Sequence, residues 1–258
     1  MTISTKIKAC THSLSVEVVM NSTNRLLLTV FSALFLILFV GRAVQASVVI
    51  TGTRVIYPEK QKEVTVKVNN TGTGPVVLQS WIDNGDVNAR PETLKVPFVL
   101  TPPINRVEPN KSQTLRISYT GAALPKDKES VFWLNVLEIP AKADAGSSQN
   151  YLQMAYRSRI KLFFRPTGLV GNPNDAAQSL VWTNVPGGLK ATNPTPFHVS
   201  LVTVGITGSK TAPVEGQMIS PNNSLTFSLP GNTAGNSVDF EFINDYGALN
   251  KLSQPIKP

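Results

Sequence analysis

From about residue 47 onward the chain is written largely in a period of two. Val64, Val66 and Val68 alternate with Thr65 and Lys67, and Leu115, Ile117 and Tyr119 alternate with Thr114, Arg116 and Ser118. Leu152, Met154 and Tyr156 alternate with Gln153, Ala155 and Arg157, and Val199, Leu201, Val204 and Ile206 sit in a run rich in Val and Thr. Successive side chains of a strand point to opposite faces, so this pattern buries one face and wets the other. Turn formers separate the runs: Asn69-Asn70-Thr71-Gly72, Asp83-Asn84-Gly85, Gly187-Gly188 and Pro221-Asn222-Asn223. No stretch has the pattern of an amphipathic helix, and Asp175 to Leu180 offers a single helical turn at most. Many short strands spaced by such turns predict an all-β sandwich architecture.

The first 46 residues read differently. Residues 26–40 are LLLTVFSALFLILFV, interrupted by Thr29 and Ser32 and shorter than the ~20 apolar residues of a membrane span. Arg25 precedes this run and Val44-Gln45-Ala46 follows it. Basic flank, apolar core and small-residue exit predict a secretory signal peptide cleaved after Ala46, with a retained anchor as the alternative. Residues 1–19 are too long for the basic flank of such a signal, so Met20 is the expected start and 1–19 an over-extended reading frame. After cleavage no membrane insertion is expected.

Processing removes Cys10, the single cysteine. A secreted chain without disulfides must hold its domains by core packing, which favours domains of about a hundred residues over small stapled folds. Of 24 basic and 16 acidic residues, four and one lie in 1–46, leaving 20 and 15 and a net charge of +5. That excess is mild and dispersed, with no Lys/Arg run to track a phosphate backbone, so nucleic acid is not an expected partner. Pro166, Gly168, Gly171, Asn172, Pro173 and Asn174 interrupt the patterning. We therefore expect an N-terminal domain over 47–168 and a C-terminal domain over 169–258, each of a size that suits an immunoglobulin-like sandwich.

The residues for enzyme chemistry are missing. The processed chain has one histidine, His198, in the strand-like stretch Phe197-His198-Val199-Ser200. A Ser-His-Asp or Cys-His arrangement would have to use that residue or none. No cluster of His, Cys and carboxylates suits a metal, and no cofactor is expected. Thr71-Gly72-Thr73-Gly74-Pro75 lacks the third glycine and the helix of a dinucleotide site and reads as a hairpin turn.

One long stretch carries a family resemblance. Leu124-Pro125-Lys126-Asp127-Lys128-Glu129-Ser130-Val131-Phe132-Trp133-Leu134-Asn135-Val136-Leu137-Glu138-Ile139-Pro140 resembles the signature of the PapD-like periplasmic pilus (fimbrial) chaperones of the chaperone–usher pathway. Further matches follow in order. They are Thr53-Arg54-Val55-Ile56-Tyr57 in the first strand, Gln79-Ser80-Trp81-Ile82, Thr101-Pro102-Pro103, and Arg159-Ile160-Lys161-Leu162-Phe163-Phe164-Arg165-Pro166 at the end of the first domain. Asn193-Pro194-Thr195-Pro196-Phe197 and Ile243-Asn244-Asp245-Tyr246-Gly247-Ala248 lie in the second.

The resemblance implies two immunoglobulin-like β-sandwich domains at an angle with a cleft between them. It also implies a non-enzymatic periplasmic chaperone that binds, folds and caps pilus subunits by donating a β-strand and delivers them to the outer-membrane usher for fimbrial assembly. On that reading Leu152, Met154 and Tyr156 are the donor strand, each burying apolar area worth about 1.5–3 kcal/mol, with Gln153 and Ala155 facing inward. Alternation alone also fits residues that serve the chain's own core. Arg54 and Lys161 match the anchor for the subunit's C-terminal carboxylate, although by themselves they also read as a solvated pair of charges. Arg159, two residues from Lys161, competes for the assignment, and the family pattern favours Lys161. Glu129, Arg165 and Asp245 match an ionic cluster that ties the domains together. The connection at about 141–150 resembles the short-loop class of the family. Expected partners are pilus subunits, the usher, and a second copy of the chain that caps the exposed strand. A two-domain secreted adhesin is the alternative, with Trp133, Trp182 and Tyr151 as its candidate ligand aromatics.

Overall fold

The Thr53–Tyr57 motif, expected in the first strand, falls on the second. β1 (Val48–Ile50) and β2 (Arg54–Pro58) flank Gly52, whose φ of 98° lies in the left-handed region that a side chain disfavours. β1 pairs antiparallel with β3 (Val64–Asn70), whereas β2 runs parallel to β9 (Tyr156–Arg165). The chain thus crosses from one sheet to the other at this glycine. The architecture comes from a computed structural model that describes residues 47–141, 153–229 and 235–257. The expected signal peptide and start site, Leu152 and Tyr151 lie outside the described residues. Among the described residues no helix is long and apolar enough to cross a membrane.

The first sandwich adds β4 (Val76–Asp83), β5 (Phe98–Thr101), β6 (Ile104–Val107), β7 (Ser112–Tyr119) and β8 (Ser130–Pro140). One sheet has the order β1-β3-β7-β5 and the other β2-β9-β8-β4-β6. Alternation sends Val66, Val68, Leu115 and Ile117 inward from the first sheet, against Leu78, Leu134, Leu162 and Phe164 from the second. Tyr57 is fully buried among Phe98, Tyr119 and Phe164, with ring centroids 5.6–6.4 Å away. Its hydroxyl donates to the carbonyls of Gln61 and Lys62 and accepts from the Tyr119 amide at 2.9 Å, so a buried phenol keeps its polar tip satisfied. Residues 71–75, expected as a hairpin turn, instead join β3 to β4 in the opposite sheet. Asn70 shapes this corner: its buried amide donates to the Gly74 and Val107 carbonyls and its Oδ1 accepts from the Gly72 amide.

The second sandwich contains β10 (Val181–Val185), β11 (Gly188–Asn193), β12 (Val199–Ile206), β13 (Val214–Glu215), β14 (Met218–Ile219), β15 (Asn223–Ser228), β16 (Ser237–Ile243) and β17 (Leu249–Lys257). They follow the order β13-β12-β16-β17-β10-β11-β15, with β14 beside β12, and a separate core gathers around Trp182, Leu189, Val204 and Phe240. A short 3-10 helix, Pro173–Ser179, stands where one helical turn was expected. Asn193 explains the Asn-Pro-Thr-Pro-Phe motif: its buried amide donates to the Phe197 carbonyl at 2.7 Å and its Oδ1 accepts from Thr195, which fixes the turn. Residues 46–258 form one compact unit containing both cores.

Candidate functional site: a basic cleft beside an open strand edge

In the parallel β2–β9 pair Arg54 lies opposite Lys161, Ile56 opposite Phe163, and Pro58 opposite Arg165. Directly opposed residues share a face, and the intervening Val55, Tyr57, Leu162 and Phe164 fill the core. Arg54 and Lys161 therefore stand side by side on the outer face, turned toward the second sandwich. Arg54 Nη1 donates to the Ile243 carbonyl at 2.9 Å, and Lys161 Nζ donates to Ser200 Oγ at 3.1 Å. Ser200 and Ile243 are themselves opposed across β12 and β16, so a pair of cations on one domain meets a pair of acceptors on the other. The sequence reading missed Ser200. Its hydroxyl looks like any strand serine until the second domain is placed against the first.

Both cations are partly shielded from water. Burial, and then the neighbouring Arg54 charge, push the Lys161 ammonium below the usual lysine range. Burial lowers Arg54 as well, against the opposing pull of Asp245 and Glu129. Among the described residues no carboxylate lies within ion-pair distance of either group, and Arg54 Nε is buried without an acceptor. Two partly desolvated cations with a spare donor form a site for an anion, and a carboxylate fits the charge-assisted hydrogen bonding they offer.

The edge beside them is open. β9 pairs with β8 from Tyr156 to Phe164, but β2 covers only Lys161 to Arg165. Among the described residues no strand covers the other side of Tyr156–Ile160. The free edge runs up to the point where Arg54 begins β2. Register along β9 is regular, so Tyr156 shares the face of Ile160, Leu162 and Phe164, opposite to Lys161. Tyr156 is 47% exposed and Met154, just before the strand, 49%. Gln153 and Ala155, expected to face inward, are exposed. They precede the first rung of the ladder, Tyr156 opposite Glu138, and nothing turns them toward the core.

Glu129, Arg165 and Asp245 meet at the domain boundary. Arg165 Nε donates to Glu129 Oε1 at 2.6 Å, and its two terminal nitrogens donate to Asp245 at 2.7 and 3.1 Å. The remaining Glu129 oxygen accepts from the His198 amide at 2.8 Å, with His198 Nδ1 3.3 Å away. Burial would raise the Glu129 carboxyl, but the bonds from His198 and Arg165 outweigh it and hold it below the usual range. His198 packs its ring 5.3 Å from Phe163. It is a wall of the boundary, and among the described residues its bonds go to Glu129.

Arg159 is committed elsewhere. It forms a two-pronged bond to Asp83, at 2.6 and 2.9 Å, and its guanidinium lies 4.5 Å from the Trp133 ring centroid. Trp133 is thereby half-covered, and Trp182 is buried in the second core, so neither is an open ligand aromatic.

Comparison with known proteins identifies the family. Residues 47–170 match the pili and flagellar-assembly chaperone, PapD N-terminal domain, and 175–254 match the pili assembly chaperone PapD, C-terminal domain. The Bordetella pertussis chaperone protein FimB/FhaD is 47% identical over 217 residues, 80% of this chain and 87% of that protein. The probable fimbrial chaperone YadV of Escherichia coli K12 is 46% identical over 213 residues, 78% and 87% of the two chains. The solved structure of Salmonella enterica SafA pilin in complex with the SafB chaperone is similar with a TM-score of 0.71 and 29% identity, over 83% of this chain and 99% of that one. The chain belongs to the PapD-like pilus-assembly chaperones, a family of two-domain β-sandwich proteins that bind without catalysing.

Proposed function

We propose that this protein is a periplasmic chaperone that lends the β9 edge to an incomplete pilus subunit and holds the subunit's C-terminal carboxylate between Arg54 and Lys161. One observation carries the reading: β2 leaves the ladder at Arg54, and the slot in line with it, along Tyr156–Ile160, stays empty. A subunit strand in that slot, parallel to β9 as β2 is, ends at the two cations. Its last carboxylate then sets the register, because one fixed end decides which side chain meets which pocket. Tyr156 and Met154, with Leu152 expected to continue the row, would enter the subunit's open core. Backbone pairing supplies affinity and the alternating side chains supply specificity, as in other strand additions. Glu129, Arg165 and Asp245 serve to hold the angle between the domains.

The remaining partners follow from exposed surface. A free apolar edge invites a second copy of the chain, which would cap it in the absence of subunit. Val77, Ile104 and Ile139 lie exposed on the outer face of β4, β6 and β8, with β4 and β6 on the far side of the sheet from the lent edge. We assign this patch to the usher, which must grip the chaperone while the subunit is still bound. The expected signal peptide and the absence of cysteine after it support the periplasm as the compartment.

Amide hydrogen exchange tests the lending step. Binding of a co-expressed pilin should slow exchange at 156–160 while β3 and β7 stay unchanged. Protection confined to the second sandwich would contradict it. An Ile104→Lys variant should still capture pilin and fail to deliver it to the usher.

A further inference from the structure

Arg159 sits in the middle of the open edge, yet its charge points away from the slot into a knot on the outer face of the sheet. Asp83, 1% exposed, ends β4 and takes both prongs of the guanidinium. The same carboxylate accepts from Asn135 Nδ2 at 2.6 Å and from the Gly85 amide at 2.7 Å. Asn135 is fully buried and lies directly across from Arg159 in the β8–β9 ladder. Trp133, one rung on and opposite Lys161, packs its ring beneath the guanidinium. Gly85, at φ 119°, brings the loop so close that an added Cβ would stand 3.3 Å from that ring. Two residues away, Arg157 Nη1 donates to the Val87 carbonyl at 2.9 Å. Both outward arginines of the uncovered stretch are thus pinned, Arg159 to the last residue of β4 and Arg157 to the loop that follows it.

An edge strand with one neighbour has half the backbone bonds of an interior strand and opens readily. A lent strand that frays must be reordered at each binding event, which costs affinity. The knot supplies on the side-chain face what the missing neighbour does not supply on the backbone. We propose that Arg159, clamped by Asp83 and Asn135 and backed by Trp133, is a positioning residue for strand lending: it keeps Tyr156–Ile160 extended and ready to pair, and takes no part in binding the carboxylate. The proposal rests on the strand-lending reading above.

The test uses Asp83→Asn combined with Arg159→Met, which removes the charge pair without leaving one buried charge unpaired. Two probes serve: an alternating Val/Thr peptide ending in a free carboxylate, and the same peptide as a C-terminal amide. The variant should exchange its amides at 156–160 at least tenfold faster than wild type, with those of β12 unchanged. It should lose affinity about tenfold for both peptides. Lys161→Ala should lose affinity for the acid alone. Unchanged exchange at 156–160 would overturn the positioning role, and a loss restricted to the acid would make Arg159 a second anchor instead. A wild-type protein that binds neither peptide, nor pilin, would sink the strand-lending reading, and the positioning role would go with it.

Discussion

Lys161 reaches across the domain boundary to Ser200, its ammonium 3.1 Å from the serine hydroxyl. Ser200 is buried, and Lys161 already carries a depressed pKa from burial and from Arg54. A hydroxyl accepts from the ammonium and can still donate to a carboxylate oxygen, so it serves both partners. Ser200→Ala should weaken pilin binding about tenfold, the loss of one hydrogen bond to a charged group, and leave the unfolding midpoint in urea near that of wild type. Titration of pilin onto the two proteins measures the first effect and urea unfolding the second.

Asp245→Ala removes one side of the Arg165 clamp and leaves a largely but not fully buried guanidinium half-paired. Breaking such a pair from one side costs about 3–5 kcal/mol. Denaturant unfolding should show that loss. A variant as stable as wild type with unchanged pilin binding would remove the cluster from the account.

Acid should destabilise the protein through identifiable carboxyls. Burial raises Glu129 and Asp83, but the bonds from His198 and Arg165 on the first, and from Arg159 and Asn135 on the second, lower both below their ordinary values. The unfolded chain therefore takes up these protons at higher pH than the folded one does. The stabilisation is fully present above the unfolded pKa, about 4, and is lost as pH falls through the folded values. Unfolding free energy measured from pH 7 downward should hold until about pH 5 and then decline. Glu129→Gln should show a shallower decline, and parallel curves would rule Glu129 out as a contributor.

How much of this was legible depended on which face of the sheet a residue occupies. Where one face is core and the other water, as at Val64–Val68 and Leu115–Tyr119, alternation alone located β3 and β7. β8 gave no such signal, because Phe132, Leu134 and Val136 fill the core while Trp133, Leu137 and Ile139 lie on the outer face. There the family pattern, and not periodicity, marked the strand. The short β1 ahead of the Thr53–Tyr57 motif was hidden because the break between β1 and β2 depends on the backbone angle of Gly52, which composition does not encode. Arg159 and Lys161 have the same parity and the same charge, so periodicity could not separate them; the family pattern favoured Lys161, and the bond from Arg159 to Asp83, 76 residues earlier, gives the physical reason. Ser200 depended on domain placement in the same way.

Gly247 stands at a close approach between the two domains. Its φ is 81°, and an added Cβ would fall 2.6 Å from Thr53 Oγ1, one residue before Arg54. The left-handed backbone alone costs a side chain about 1–2 kcal/mol, and the Thr53 hydroxyl beside Arg54 would have to move to make room. Gly247→Ala should lower the melting temperature and weaken pilin capture together, as thermal unfolding and pull-down would show. A normal melting temperature with full capture would show that the boundary is soft.

The most direct test of the account is capture of a co-expressed pilin by tagged wild-type protein, Arg54→Ala and Lys161→Ala, each checked for folding by circular dichroism. The account predicts that wild type co-purifies with a folded subunit and that both variants, though folded, lose it by tenfold or more. Equal capture by all three would contradict the carboxylate anchor, and with it the register that places the subunit's strand along β9.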